Sequence, residues 1–107
     1  MIPSQFESAP PPVRSTFADD EDFAELLRVF ADTIPEKQQT AIDLHRAGSF
    51  DELCRWAHQL KGAAGGYGFP ELTEVAAELE QACKAQNADR ITLGVDRVLD
   101  YLKRIAV

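Results

Sequence analysis

FDELCRWAHQLKGAAGGYG, residues 50–68, is the stretch from which the fold can be read. Its apolar members Leu53, Trp56, Leu60, Ala63, Ala64 and Tyr67 recur at spacings of three and four. At about 100° per residue they gather on the side of a helix opposite His58, so the spacing predicts an amphipathic helix with that side against a core. Ser49 and Glu52 fit a capping box at its start, each side chain bonding the other's free backbone N–H. The glycines at 66–68 end it. Lys61, Gly62 and Gly65 share the face of His58, following it by three, four and seven residues. Helix interiors avoid glycine for entropic reasons, so this concentration asks for a cause, and close approach of another macromolecule supplies one.

The same period extends outward in both directions. Upstream, Phe23, Leu26, Leu27 and Phe30 mark a first helix, opened by the acidic cluster Asp19 to Asp22 that suits a positive helix N-terminus. Pro35 interrupts the pattern, and a break with a second helix starting near Thr33 puts this proline in a first turn, where no N–H is needed. Ala41, Ile42, Leu44 and His45 carry that helix to Gly48, a C-terminal stop. Downstream, Pro70 opens a fourth helix with the stripe Leu72, Val75, Ala76, Leu79 and Cys83. Asn87 or Asp89 caps a fifth, whose stripe is Ile91, Val95, Val98, Leu102 and Ile105. Gly94 inside it costs up to about 1 kcal/mol in helix propensity. No segment alternates as a strand does. The chain reads as all-α, an up-and-down antiparallel four-helix bundle with an additional N-terminal helix.

Ahead of the helices, residues 1–18 read as an extended, Pro-rich, loosely ordered segment, with the bundle domain spanning 19–107. Phe6, Val13 and Phe17 are the residues able to pin that segment to the body.

At 107 residues the chain has room for one domain. Its 11 Lys and Arg against 18 Asp and Glu leave a net charge of −7, which argues against nucleic acid or an anionic membrane as partner. No apolar run approaches the roughly 18 residues that cross a bilayer, and the N-terminus lacks the pattern of a secretory signal. Two cysteines without an export signal suggest reduced thiols and a cytoplasmic protein. The average charge is not uniform: from Leu53 to Pro70 there is no Asp or Glu, while Arg55 and Lys61 flank His58.

An outward imidazole, a lysine one turn beyond it and a bare backbone around both describe a nucleophilic site. A ring nitrogen can attack phosphorus, and a lysine can hold phosphoryl oxygens as a point charge. The string His58-Gln59-Leu60-Lys61-Gly62-Ala63-Ala64, followed by Gly65-Gly66-Tyr67-Gly68-Phe69, resembles the signature of histidine-containing phosphotransfer (HPt) domains. That resemblance implies a four-helix bundle with an extra N-terminal helix. It also implies that His58 accepts a phosphoryl group from the aspartyl phosphate of a response-regulator receiver, or from a kinase, and passes it to another receiver. By the same resemblance Lys61 stabilises the phosphoryl group and Gly62 lets the receiver dock, with Cys54, Arg55, Gly65 and Gly66 completing the docking face. No cofactor is expected on this chain, and the Mg²⁺ is expected on the partner receiver. The expected partners are receivers and a hybrid histidine kinase, and the expected state is a free-standing monomer, although a piece of a hybrid kinase would read alike.

If the third and fourth helices fold back about a turn near residue 69, residues equally far from it lie level, and His58 faces Glu80. A carboxylate accepting the Nδ1 proton fixes the tautomer and leaves Nε2 as nucleophile. Many HPt members carry Glu or Gln at this distance. The alternative is a solvated helix-face glutamate. The same levelling brings Cys54 towards Cys83, so Cys54, His58, Glu80 and Cys83 compose a rival, zinc-like set. Against it, no CxxC pair occurs and Cys83 fits the core stripe. A histidine-kinase dimerisation domain is a further rival, from which Gln59 and Gly62 depart. The chain has no glycine-rich nucleotide loop, Walker lysine pattern or Mg²⁺-binding acid cluster, so it reads as a phosphoryl carrier without its own ATP site rather than a turnover enzyme. A helical adaptor that never becomes phosphorylated is the remaining alternative.

Overall fold

Local residue choices set each helix boundary in the computed structural model, which describes residues 11–106. The described residues form α1 (Glu21–Asp32), α2 (Ile34–Ala47), α3 (Phe50–Tyr67), α4 (Pro70–Lys84) and α5 (Ala88–Arg104). Asp20 caps α1 by accepting the Asp22 N–H at 2.9 Å, and Glu21 and Asp22 complement the dipole. Thr33 alone separates α1 from α2, with Pro35 in the first turn of α2 as its missing N–H requires. Gly48 (φ 68°) and Gly68 (φ 83°) end α2 and α3 in the left-handed conformation that a side chain resists. Asn87 caps α5 by accepting the Arg90 N–H.

One expected device is absent. Ser49 occupies the N-cap of α3, but its side chain makes no capping bond. Its N–H, which Glu52 would have to reach, instead closes the end of α2 by donating to the Leu44 carbonyl at 3.0 Å. The tight link between the two helices thus uses for the first what the capping box needs for the second.

Helices α2 to α5 form the antiparallel bundle, each packing on its neighbours in chain order and α5 closing against α2; α1 leans on α2 and α3. Phe69, Leu53, Leu72, Leu79, Ile91, Leu102 and Val98 are the largest fully buried side chains, each contributing on the order of 1.5–3 kcal/mol of apolar burial. The α3 stripe is narrower than its periodicity suggests: Leu53, Leu60 and Ala64 are buried, Trp56, Ala63 and Tyr67 are half-buried, and Ala57 is fully buried beside them. On α1, Leu27 and Phe30 enter the core while Leu26 stays 49% exposed, because this helix touches the bundle along one edge. Gly94 has a packing reason, since a Cβ there would lie 3.1–3.3 Å from Leu79 of α4. Among the described residues no helix is long and apolar enough to cross a membrane.

Residues 11–18 lie along the bundle. Val13 pairs with the chain end, donating to the Arg104 carbonyl and accepting from the Ala106 N–H, both at 2.8 Å. Ser15 is buried and donates to the Tyr67 carbonyl, the Thr16 N–H donates to Gly68 at 2.8 Å, and Phe17 stacks on Phe23. Phe6, the third candidate anchor, lies outside the described residues. This strap makes Gly68 doubly demanding, since a Cβ there would come within 2.5–2.8 Å of Ser15, Thr16 and Phe17 side-chain atoms. At Gly48 a Cβ would meet nothing within 4 Å. Gly68→Ala is therefore expected to lose about 2–4 kcal/mol in urea unfolding, backbone strain plus displacement of the strap, against about 1 kcal/mol for Gly48→Ala. Equal losses would show that the strap yields without resistance.

Candidate functional site

The antiparallel hairpin of α3 and α4 turns through Gly68 and Phe69, which sets His58 level with Glu80 across the seam. The buried residues of the two helices include the small Ala57 and Ala64 on α3 and Ala76 on α4, and such residues let helix axes approach closely. On α4, Glu80 follows Ala76 by one turn and precedes Cys83 by three residues, which places it on the inner edge beside Leu79. Its side chain is only 5% exposed. A carboxylate so buried is tolerated only where hydrogen bonds replace its water.

Three donors do so. His58 Nδ1 lies 3.0 Å from Glu80 Oε2, Lys61 Nζ lies 2.8 Å from Oε1, and Lys84 Nζ lies 3.3 Å from Oε2. The Lys61 hydrogen bond, with those of His58 and Lys84, outweighs burial and holds the Glu80 carboxyl down at about 2, below its ordinary 4.5. An ionised carboxylate can only accept, so Nδ1 carries the proton and donates it. In a neutral ring Nε2 then holds the free lone pair. The His58 side chain is 66% exposed, so the Nε2 side of the ring is open.

Around the imidazole the surface is bare. A Cβ at Gly62 or Gly66 would meet nothing within 4 Å, and one at Gly65 would meet only Thr73 Oγ1 at 3.9 Å. The fold itself thus gives no reason for these three glycines. Arg55 is exposed on the same helix. Cys54 is half-buried and directed to the seam, its Sγ donating weakly to the Glu80 carbonyl at 3.9 Å. Cys83 is buried among apolar neighbours; burial first, and the nearby Cys54 thiol second, push its thiol up to about 11. Among the described residues no three His, Cys, Asp or Glu side chains are grouped to hold a metal ion. His45, in the last turn of α2, meets Thr92 Oγ1 through Nε2 at 3.2 Å.

The structure therefore brings His58, Lys61 and Glu80 together and leaves Arg55, Gly62, Gly65 and Gly66 on the open face beside them. Two features escape the sequence reading. Lys61, read as a phosphoryl ligand, is engaged by Glu80 in the unphosphorylated protein. Lys84 joins the cluster unforeseen, although its place four residues after Glu80 on one helix is the spacing that favours such a pair.

Because the folded pKa of Glu80 lies below its ordinary value, its ionic contribution to stability is complete above pH 4.5 and disappears as the pH falls towards 2. The stability difference between wild type and Glu80→Gln, from urea unfolding at stepped pH, should shrink as the pH falls from about 5 towards 2. A difference constant down to pH 2.5 would contradict the ionic role.

Comparison with known proteins gives one family. The family model of the Hpt domain matches residues 25–106, a span that includes α2 to α5 and all of the site. Neither curated proteins nor solved structures give a match.

Proposed function

The chain belongs to the Hpt domain family, whose members carry out histidine phosphotransfer in phosphorelays, and we propose on that footing that His58 is its phosphoryl acceptor. The observation that carries the assignment is the buried, ionised Glu80 on Nδ1 while the Nε2 side of the ring stands open.

In the proposed reaction the Nε2 lone pair attacks the phosphorus of an aspartyl phosphate on a receiver domain, in line with the leaving oxygen. The N–P bond forms, the P–O bond to the aspartyl carbonyl carbon's oxygen breaks, and the electron pair leaves on the aspartate. Nδ1 keeps its proton, so the ring gains a positive charge as the bond forms. Glu80 Oε2, 3.0 Å from Nδ1, is already placed where that charge develops. Lys61, one turn beyond His58, turns from Glu80 Oε1 to the phosphoryl oxygens. The Mg²⁺ that neutralises the transferring group comes with the receiver. Transfer to a second receiver is the same step reversed, and the chain needs no nucleotide site of its own.

The bare face at Gly62, Gly65 and Gly66 suits this reading, because a receiver must bring its aspartate against the imidazole and any side chain there stands in the way. This reading places the chain in the cytoplasm, as a single copy meeting receivers and their kinase.

Incubation with a phosphorylated receiver should label wild type and leave His58→Gln unlabelled. Label surviving that substitution would sink the assignment, and receiver binding without label would favour the adaptor. Lys61→Ala should slow labelling by about tenfold or more with the bundle intact. Gly62→Ala separates fold from docking: it should raise stability by up to about 1 kcal/mol, since the position is helical and open, yet slow receiver-dependent labelling. An unchanged labelling rate would remove Gly62 from the docking face.

A further inference from the structure

Glu80 presents two oxygens to three donors, and their distribution is uneven. Lys61 takes Oε1, whereas Oε2 is shared by His58 Nδ1 and Lys84. We propose that Lys84 is a positioning residue of the phosphotransfer site, keeping Glu80 paired and aligned on His58 Nδ1 while Lys61 turns to the phosphoryl group. This inference rests on the reading of His58 as phosphoryl carrier.

The need for such a residue follows from burial. With its side chain only 5% exposed, Glu80 cannot replace a departing Lys61 with bulk water. If Lys61 were its sole cation, releasing it before the ring gains its charge would leave a buried carboxylate with only the neutral Nδ1 donor, and Lys61 would be held back. Lys84 removes that conflict. It comes from α4 itself, four residues after Glu80, so its hold does not depend on what happens at the face of α3. It also sits on the oxygen that faces the ring, so it maintains the contact that fixes the tautomer.

Charge accounting gives the same result. With a neutral ring, Glu80, Lys61 and Lys84 together carry one net positive charge. Forming the N–P bond at Nε2 and breaking the receiver's P–O bond brings in a dianionic phosphoryl group and makes the ring a cation, which leaves the cluster neutral. Without Lys84 the cluster would begin neutral and end negative. Other acids do not compete at close range: α3 has none from Leu53 to Tyr67, and Glu78 of α4 is paired with Arg97 at 3.5 Å.

The test compares wild type, Lys84→Met and Lys84→Arg with two phosphoryl donors: a phosphorylated receiver, and phosphoramidate, which is too small to need a docking face. Lys84 is more than half exposed, and methionine keeps much of its aliphatic stem, so the bundle should fold in all three. Lys84→Met is expected to slow labelling of His58 by about tenfold with either donor, the scale of one lost charge contact in a partly screened site, and Lys84→Arg to restore it. Lys61→Met should also cost less in the Lys84→Met background than alone, because Lys61 is then retained by Glu80. Slowing confined to the receiver would make Lys84 a docking residue and overturn the proposal, as would labelling of Lys84→Met at the wild-type rate. A wild type that takes no phosphate at His58 from either donor would overturn the phosphotransfer reading itself.

Discussion

A single carboxylate placed inside a helical seam organises this site. Glu80 is out of water beside Leu79 and Cys83, and a charge in that position must be surrounded by donors. His58, Lys61 and Lys84 are those donors, and each constraint they satisfy on Glu80 acts in return on them. The imidazole is held by Nδ1 and exposes Nε2. Lys61 is held within one turn of His58. The antiparallel register of α3 and α4, set by the left-handed turn at Gly68, is what makes the three meet.

The rest of the bundle serves that register. Small residues at Ala57, Ala64 and Ala76 suit a close α3–α4 seam, and Gly94 lets α5 come against Leu79 on the other side of α4. The strap of residues 11–18 closes over the α3–α4 turn and ties it to the end of α5. The net charge of −7 is an average over this arrangement. Leu53 to Pro70 contains no Asp or Glu, and the carboxylate that reaches His58 and Lys61 is Glu80 of α4.

Much of this is legible from residue order because the decisive signals are local or geometric. The three- and four-residue spacing on α3 separates His58 from the core, Gly48 and Gly68 stop helices for steric reasons, and levelling residues about position 69 sets Glu80 opposite His58. What periodicity misses has equally physical causes. The Ser49 and Glu52 box fails because the Ser49 N–H is already given to Leu44, a competition visible only once the link between α2 and α3 is built. Leu26 has the right spacing but lies on a helix that touches the bundle along one edge. The anchoring of Ser15 and Thr16 at the α3 end depends on backbone bonds that no side-chain pattern announces. The pairing of Lys61 and Lys84 follows from the burial of Glu80, which residue order does not show: a buried carboxylate claims nearby lysines first.

In the proposed reaction Glu80, by accepting the Nδ1 proton, makes Nε2 of His58 the phosphoryl acceptor. The most direct measurement is NMR of ¹⁵N-histidine-labelled protein after transfer from a phosphorylated receiver, with the ¹⁵N–³¹P coupling identifying the bonded ring nitrogen. Phosphorus is expected on Nε2 of His58 with the proton retained on Nδ1. Phosphorus on Nδ1, or none on His58, would contradict it.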